Sequence, residues 1–465
     1  MERIKKIKLV LVFLTILLIS LIAYISYFQL VEAKKIVDNE YNQRNWVDED
    51  KYIRGKIYSR NGEIIADNVV KDGKKLRYYP YGSLFSHAIG YSSKEYGKTG
   101  LEREYNDELI NISKKTPIDN IKDLVIEEKK GNDIYTSLDV QLQKEANELL
   151  QGHKGSIVLL NPKTGEIYAM VSKPDFDPNN LSKDWENLIT NEQSPLLNRA
   201  VNGLYTPGSI IKVITATSIL ENKDSINLLY DDTGSINVDG YTINNYMNQG
   251  HGQINLMWAL VHSSNTYFVD KSLQLGPKIL EDTFSRFMFG KGIPFDYPVE
   301  SSTNPFVEGM NNLDLAAAAF GQGTTLVTPL NMALSIGAIA NNGKMVIPTM
   351  INKIDRKEKD FVNEFKDNVL INSTSEEVSK ELRDDLAEVV NNYDTATTYN
   401  VSSGGKTGTA ETGSGLTHAW YLGFAPLEDP YLAVAVILEE DGSLGGTTAA
   451  PIGAKMLDLG YEVIK

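Results

Sequence analysis

A run of twenty residues without a charged side chain lies close to the amino terminus of the chain. It extends from Leu9 to Phe28 and reads LVLVFLTILLISLIAYISYF. As a helix, such a run reaches about 30 Å, which is the thickness of the hydrocarbon core of a bilayer. Because no second apolar run approaches this length, we expect one membrane-spanning helix and a large soluble remainder.

The charges beside this run predict its orientation in the cell membrane. Four basic residues precede it, namely Arg3, Lys5, Lys6 and Lys8. The positive-inside rule therefore predicts a cytoplasmic tail at residues 1–8, a single-pass anchor at residues 9–31 and an extracytoplasmic remainder. A cleaved signal peptide is the alternative, but its apolar region is shorter, about 7–15 residues, and ends at a small-residue cleavage site. We find no such site here, so we expect an uncleaved anchor.

The composition of the chain excludes several classes of function. Its 465 residues include 61 acidic residues against 46 lysines and arginines, which gives a formal charge of -15. A net negative charge opposes binding to the negatively charged phosphate backbone of DNA or RNA, so we expect no nucleic acid partner. The chain has no cysteine, which excludes a disulfide, a thiolate nucleophile and a cysteine-ligated zinc ion. Catalytic chemistry must therefore come from oxygen and nitrogen groups.

Changes of sequence character predict two domains after the anchor. Residues 32–130 are charged and turn-rich, and Arg54–Asn68 holds an Asn-Gly pair between two short strands, which is typical of a β-hairpin. About 100 residues suffice for a pedestal. Residues 131–465 have a strand hairpin at 155–172, a largely helical middle and three apolar strands between 407 and 440. This order predicts an α/β domain in which both ends of the segment contribute to one sheet.

In the middle of the larger domain, apolar residues recur with the period of a helix in four stretches. They lie at residues 207–220, 256–275, 313–340 and 375–390, and the pair Thr374 and Glu377 fits a capping box for the last. The second stretch is interrupted at Ser263. We expect these helices to flank the sheet of the larger domain.

A serine and a lysine three residues apart form the first candidate site. Ser209 follows a Pro-Gly pair that breaks the preceding structure, and Lys212 lies on the helix that begins there. Residues i and i+3 share a helix face with Cβ atoms about 5–6 Å apart. A lysine takes a proton from a serine only if burial or a neighbouring cation lowers its pKa. A second cation is therefore expected nearby, and the N–H groups of the helix terminus face a developing oxyanion.

Two further short motifs supply candidates for the second cation and for polar partners. The Ser-x-x-Lys motif alone is weak evidence for a catalytic site, since Ser403–Lys406 also matches it. The Lys-Thr-Gly motif occurs three times, at Lys98, Lys163 and Lys406. Lys163 lies in a hairpin turn and Lys98 in the polar pedestal, where a solvated turn explains each. Lys406 enters a strand beside glycines that permit close approach, so it is the candidate cation. Of five Ser-x-Asn matches, Ser263–Asn265 interrupts an apolar helix, where buried polar groups need partners.

These motifs together carry a resemblance to a known family. PGSIIK, SSN and GGKTGTAE stand in the order found in penicillin-binding proteins and class A β-lactamases. The chain resembles a class B penicillin-binding protein over nearly its whole length, including RGKIYSRNGEIIA in the pedestal and HAWYLGFAP in the larger domain. The resemblance implies a β-lactamase/transpeptidase-like α/β domain, with an antiparallel sheet flanked by helices, beside a small dimerisation-like pedestal and one transmembrane helix.

The resemblance also implies a reaction and its participants. It implies a serine D,D-transpeptidase that cross-links peptidoglycan stem peptides through an acyl-enzyme and is inhibited by β-lactam antibiotics. The implied catalytic residues are Ser209 as nucleophile, Lys212 as general base, Ser263 as proton relay, Asn265 as partner of the substrate amide, and Lys406 as the cation. The implied substrate-binding residues are Thr407, Gly408 and Thr409, and the implied oxyanion hole is formed by the N–H groups of Ser209 and Thr409. No cofactor or metal ion is implied, and a separate membrane glycosyltransferase is the implied partner.

Several alternatives remain beside this interpretation. A D,D-carboxypeptidase or β-lactamase of the same fold would admit water to the acyl-enzyme. A non-catalytic β-lactam sensor is expected to carry more transmembrane helices, and a scaffold to have lost Ser209, Lys212 or Lys406. A Ser-His-Asp hydrolase is disfavoured because no G-x-S-x-G occurs, and a zinc hydrolase because no H-E-x-x-H occurs. His262 and His418 are therefore predicted to be structural.

Overall fold

The computed structural model describes residues 2–28, 52–71, 74–111, 129–356, 360–366, 368–392 and 394–464. Several predictions concern residues outside these ranges. They include the last part of the predicted anchor, residues 29–31, and two stretches of the predicted pedestal, residues 32–51 and 112–128.

A long apolar helix, α1, is the first element of the chain. It runs over Glu2–Tyr27, and within its stretch Ile4–Tyr27 an 18-residue segment has a mean hydropathy of 2.8 with none of that segment buried inside the protein. At 1.5 Å per residue, this stretch reaches about 36 Å and exceeds the hydrocarbon thickness of a bilayer. The helix begins at Glu2 rather than at Leu9, so the basic residues of the predicted tail belong to its first turns. The helix fits a single-pass membrane protein.

The remaining described residues form short and long helices and strands. The further helices are α2 Ser86–Ile89, α3 Gly100–Glu104, α4 Asn106–Leu109, α5 Val140–Leu149, α6 Leu181–Thr190, α7 Arg199–Asn202, α8 Lys212–Glu221, α9 Leu256–Val261, α10 Asn265–Leu275, α11 Pro277–Arg286, α12 Asn312–Ala319, α13 Pro329–Ala340, α14 Glu376–Asn391 and α15 Ala449–Val463. The strands are β1 Tyr52–Ile53, β2 Ile57–Tyr58, β3 Ile64–Lys71, β4 Lys74–Tyr78, β5 Ser92–Ser93, β6 Gly97–Lys98, β7 Lys129–Lys130, β8 Asp133–Thr136, β9 Gly155–Leu160, β10 Ile167–Lys173, β11 Tyr230–Asp232, β12 Ser235–Val238, β13 Tyr241–Asn244, β14 Gly252–Ile254, β15 Lys344–Val346, β16 Ile351–Asp355, β17 Phe361–Val362, β18 Val369–Asn372, β19 Gly404–Glu411, β20 Thr417–Ala425 and β21 Leu432–Leu438.

A five-stranded sheet with strand order β10-β9-β21-β20-β19 organises the larger domain. All neighbouring strands in it are antiparallel. Ile157 and Leu159 of β9 pack with α5 and α15 on one face, whereas Val158 and Leu160 pack with α13 on the other. This alternation is the two-residue period of a strand that is buried on both faces. The predicted α/β domain, with a sheet built from both ends of its segment and flanked by helices, is confirmed, and β19 forms an edge of the sheet.

A second sheet lies in the predicted pedestal. Its strand order is β17-β16-β8-β2-β3-β4, and β2 runs antiparallel to β3 as the Asn-Gly hairpin predicts. Strands β16 and β17 come from residues 351–362, far along the chain, and β8 pairs in parallel with β2. The pedestal sheet is therefore completed by strands that follow residue 130, and the boundary at that position stays a prediction.

Three local predictions differ from the structure. The helical stretch at 313–340 divides into α12 and α13, because Gly321 and Gly323 adopt φ angles of 90° and 72° between them. Helix α14 is capped by Ser375, whose hydroxyl accepts from the Val378 N–H, so the capping box at Thr374 is wrong. Lys98 is buried rather than solvated.

Candidate active site

A short 3-10 turn, Gly208–Ile211, leads into helix α8 and carries Ser209. The Gly208 N–H donates to the Gly321 carbonyl at 2.9 Å, and a Cβ at Gly208 would lie 2.5 Å from the Thr409 carbonyl oxygen. Glycine is therefore required here both by this contact and by its φ of 56°. The indole N–H of Trp420 also holds the turn, by donating to the Thr206 carbonyl at 3.0 Å. Ser209 is left partly exposed between buried neighbours.

Lys212 lies fully buried on the first turn of α8. Its Nζ donates to the Ser263 carbonyl at 2.6 Å and to Asn265 Oδ1 at 2.7 Å, and it lies 3.3 Å from Ser263 Oγ. Burial and then the charge of Lys406 hold the pKa of Lys212 well below its ordinary value, against the opposing effect of Asp232. A neutral amine uses two N–H groups for the first two contacts and keeps a lone pair.

The Ser209 hydroxyl makes no hydrogen bond with any residue that the structure describes. The lysine that follows it by one turn is held by the Ser263 loop instead. Hydrogen bonds between catalytic groups are often long in the absence of substrate and tighten in the complex, so this geometry does not exclude proton transfer.

Lys406, on the edge strand β19, places a second amine beside Ser263 and Lys212. Its Nζ lies 3.2 Å from Ser263 Oγ and 3.0 Å from the Thr407 carbonyl. Burial lowers the pKa of Lys406 to about 7. The Ser263 hydroxyl therefore contacts both lysine amines, which places the Lys406 amine close to that of Lys212.

Ser263 occupies the break between α9 and α10. Its φ of 53° is in the left-handed region, which costs a non-glycine residue about 1–3 kcal/mol. The next residue, Ser264, caps α10 by accepting from the Tyr267 N–H at 3.1 Å. The strained turn aims both the carbonyl and the hydroxyl of Ser263 at the lysines.

Two residues that support this turn escaped the sequence analysis. Asn245 Oδ1 accepts from the N–H groups of Asn265 and Thr266 at 2.8 and 3.1 Å. Asn245 Nδ2 donates to both carboxylate oxygens of the buried Asp232, at 2.8 and 2.9 Å. Asp232 and Asn245 lie in the polar segment between α8 and α9, which holds β11 to β14 and whose sequence resembles solvated turns, so no local signal marks them.

Strand β19 presents Thr409 to the Ser209 turn. The Thr409 carbonyl faces Gly208, and in a strand the N–H and C=O of one residue point to the same edge. The Thr409 N–H therefore faces the turn as well. Gly408 fits closely, since a Cβ there would lie 3.0 Å from the Ile210 nitrogen. The Thr409 hydroxyl accepts from the N–H of Gly445, a contact that the sequence analysis did not foresee.

The site as a whole has the parts that acyl transfer requires. It has a hydroxyl at the start of a helix, one lysine with a strongly lowered pKa, a second lysine and a hydroxyl between them. Within the described ranges, no group of three or more histidine or acidic side chains could hold a metal ion. On an antiparallel sheet flanked by helices, this arrangement defines the class of serine acyltransferases with the β-lactamase/transpeptidase fold.

Comparison with known families identifies the chain more narrowly. The family described as penicillin binding protein transpeptidase domain matches residues 155–458, and the penicillin binding protein A dimerisation domain matches residues 54–134. The chain therefore belongs to the penicillin-binding protein transpeptidase family, as a member of class B.

Relatives with assigned activities cover most of the chain. The peptidoglycan D,D-transpeptidase PbpA of Mycolicibacterium smegmatis is 31% identical over 91% of this chain and 92% of its own length. The peptidoglycan D,D-transpeptidase MrdA of Acinetobacter baumannii is also 31% identical, over 80% of this chain and 64% of its own length.

Solved structures agree with these relatives. Penicillin-binding protein A of M. tuberculosis, as an acyl-enzyme with ceftriaxone, superposes with a TM-score of 0.81 at 28% identity, over 89% of this chain and 99% of its own. PBP2 of Pseudomonas aeruginosa in complex with WCK 5153 has a TM-score of 0.76 at 29% identity, over 87% of this chain and 94% of its own.

Proposed function

We propose that the chain is a membrane-anchored serine D,D-transpeptidase that cross-links peptidoglycan stem peptides and is acylated by β-lactams. The observation that carries this proposal is the contact of both buried lysine amines with the Ser263 hydroxyl, beside the turn that presents Ser209. Its relatives are named peptidoglycan D,D-transpeptidases, and a structural neighbour was captured as a β-lactam acyl-enzyme.

Acylation begins at Ser209. Lys212 takes the hydroxyl proton, and Ser209 Oγ attacks the carbonyl carbon of the penultimate D-alanine. The N–H groups of Ser209 and Thr409 stabilise the oxyanion, each donor being worth about 3–4 kcal/mol in such sites. The bond to the terminal D-alanine then breaks, and Ser263 passes a proton to the leaving amine.

The other site residues hold the donor peptide. Asn265 binds its backbone amide, and Gly408 allows its close approach to β19. Lys406 and the hydroxyl of Thr407 bind its terminal carboxylate through charge-assisted hydrogen bonds. An amine of a neighbouring stem peptide then replaces the serine oxygen and completes the cross-link. Water at this step would give a carboxypeptidase or β-lactamase instead.

The proposal extends to the topology of the chain and to a partner. Residues 1–8 face the cytoplasm, because the basic residues lie there. Residues 32–130 form a pedestal that carries the transpeptidase domain, residues 131–465, outside the membrane. Glycan polymerisation is supplied by a separate membrane glycosyltransferase.

The rate of acylation is expected to depend on pH through the two lysines. The kcat/KM for a peptide ending in D-Ala-D-Ala rises with pH as Lys212 loses its proton, because the neutral amine is the base. It falls above a pH of about 7 as Lys406 loses the charge that binds the carboxylate. A steady-state pH profile measures both limbs. A donor with a carboxamide terminus is the control and lacks the alkaline limb, whereas an identical limb for both donors contradicts the role of Lys406.

The experiment that tests the proposed function is a product analysis. The full-length enzyme in detergent is incubated with a peptide ending in D-Ala-D-Ala and with a peptide that bears a free amine. Mass spectrometry is expected to show the cross-linked peptide and free D-alanine for the wild type, and neither for Ser209→Ala. Release of D-alanine without any cross-linked peptide, over a range of amine concentrations, contradicts transpeptidation in favour of hydrolysis.

A further inference from the structure

Three aromatic rings lie stacked beside Ser263. The rings of His251 and His262 have centroids 4.1 Å apart and planes within 4°, and the Trp258 ring lies 5.5 Å from His262 at 19°. His262 immediately precedes Ser263 and is exposed, and Trp258 is 40% exposed. We call Trp258, His262 and His251 the ring stack. It lies on the segment that leads into Ser263, and the mechanism above does not use it.

The segment that carries the ring stack has an unusual charge. Residues 224–270 contain five aspartates and no lysine or arginine. One of them, Asp231, is exposed on β11, which pairs with β14 immediately after His251. Burial and then the neighbouring His251 lower the pKa of His262, against the opposing charge of Asp232, so the imidazole is neutral at neutral pH. Asp232 is buried against Asn245 and Asp270 is paired with Lys271, so the charge open to a cation beside His251 is that of Asp231.

The geometry of acyl transfer brings a cation to this segment, if the proposed function holds. By microscopic reversibility, the acceptor amine attacks from the position that the leaving amine vacated, which is next to Ser263. Its nitrogen lone pair forms the new C–N bond, and the bond from the acyl carbon to Ser209 Oγ breaks. Because the acceptor arrives as an ammonium ion, it first releases one proton to solvent water, which frees the lone pair. The second proton, lost as the C–N bond forms, passes through Ser263 and Lys212 to Ser209 Oγ. The acceptor therefore enters past Ser263, where the ring stack lies, and it arrives from water as an ammonium ion.

We propose that the ring stack binds the acceptor strand by docking its primary ammonium side chain before that amine loses its proton. This inference rests on the proposed function and names the recognition of its second substrate. Cations are attracted to the faces of aromatic rings, most strongly to tryptophan. Docking raises the local amine concentration beside the acyl-enzyme, and it thereby favours cross-linking over hydrolysis.

The test separates the two half-reactions in the full-length enzyme. The donor is a peptide ending in D-Ala-D-Ala, and the acceptor is a synthetic tripeptide with a free lysine ε-amine. For Trp258→Ala, we expect donor acylation within twofold of wild type and a ratio of cross-linking to hydrolysis about two- to fivefold lower, as exposed cation–π contacts imply. Trp258→Phe keeps a ring and retains most of the ratio. Tyr399→Ala is the matched control, since Tyr399 is a 90% exposed ring whose backbone N–H is bonded to Asp458 of α15.

Two modified acceptors test the charge directly. The same tripeptide with trimethyl-lysine keeps the cation but has no lone pair, and we expect it to inhibit cross-linking by wild type and not by Trp258→Ala. The acetyl-lysine form, which has no charge, is expected to inhibit neither. If Trp258→Ala loses donor acylation through misfolding, the trimethyl and acetyl forms still decide the question on wild type. Normal acylation with equal inhibition by both forms, or with an unchanged ratio in Trp258→Ala, overturns this inference alone, whereas absence of wild-type acylation overturns the proposed function.

Discussion

Lys212→Met is expected to slow acylation by penicillin by about 10²–10⁴, the usual contribution of a general base. Methionine has nearly the length of lysine and suits a buried position, so the loss reflects the missing amine rather than a cavity. The amine that is lost lies 2.6 Å from the Ser263 carbonyl and has a pKa lowered by burial and by Lys406. Stopped-flow measurement with a fluorescent penicillin gives the second-order rate constant.

A second buried lysine provides the matched control for this substitution. Lys271 is almost fully buried on α10, but its amine contacts Asp270 and the Leu229 carbonyl instead of Ser263. Lys271→Met is expected to change the acylation rate less than about threefold wherever the protein stays folded. Acylation of Lys212→Met within tenfold of wild type, or an equal loss in both variants, would show that Lys212 is not the base.

Glu102→Gln is expected to destabilise the pedestal by about 3–5 kcal/mol, the usual cost of removing one partner from a buried ion pair. Glu102 is fully buried, and its two carboxylate oxygens accept from Arg54 Nε and Arg77 Nε, each at 2.6 Å. The substitution leaves two guanidinium groups without their counter-ion. Urea titration of the full-length chain in detergent measures the free energy of unfolding.

The free energy of unfolding that Glu102→Gln loses is expected to depend on pH. Burial raises the pKa of Glu102, but the charges of Arg77 and Arg54 outweigh it and hold the pKa below its ordinary value. The stabilisation is therefore complete above the unfolded pKa of about 4.3 and is lost as the pH falls below it, so the deficit of the variant shrinks on acidification. Glu104→Gln, which removes a surface pair with Arg103, is the control and is expected to cost less than about 1 kcal/mol. A deficit for Glu102→Gln no larger than that control's would refute the buried network.

The chemical groups of the site could be predicted from the sequence because each catalytic group needs a second group to activate it. Ser209 requires a base, and a lysine can be that base only if its pKa is lowered, for which burial or a neighbouring cation is needed. Among the three Lys-Thr-Gly motifs, the one at Lys406 is predicted to enter a strand beside glycines that permit close approach. The structure brings Lys212 and Lys406 to the Ser263 hydroxyl from three distant segments.

The supporting contacts could not be predicted because they arise only from long-range packing. Asp232 and Asn245 are polar residues in a turn-rich segment, and nothing local distinguishes their buried pair from solvated side chains. The pairing of β16 with β8 joins residues about 200 positions apart. The glycines at 321 and 323 were visible signals for the break between α12 and α13, but the apolar periodicity on both sides masked them.

The central claim is that Ser209 is the nucleophile, and locating the covalent penicillin adduct tests it most directly. Full-length protein is incubated with penicillin, digested and analysed by peptide mass spectrometry, beside Ser209→Ala and Ser403→Ala. Ser403 belongs to the second Ser-x-x-Lys match and is a buried serine that contacts Thr398. One adduct is predicted, on the peptide that contains Ser209, in wild type and Ser403→Ala and not in Ser209→Ala. An adduct that persists in Ser209→Ala, or that maps to another residue in wild type, would contradict the assignment.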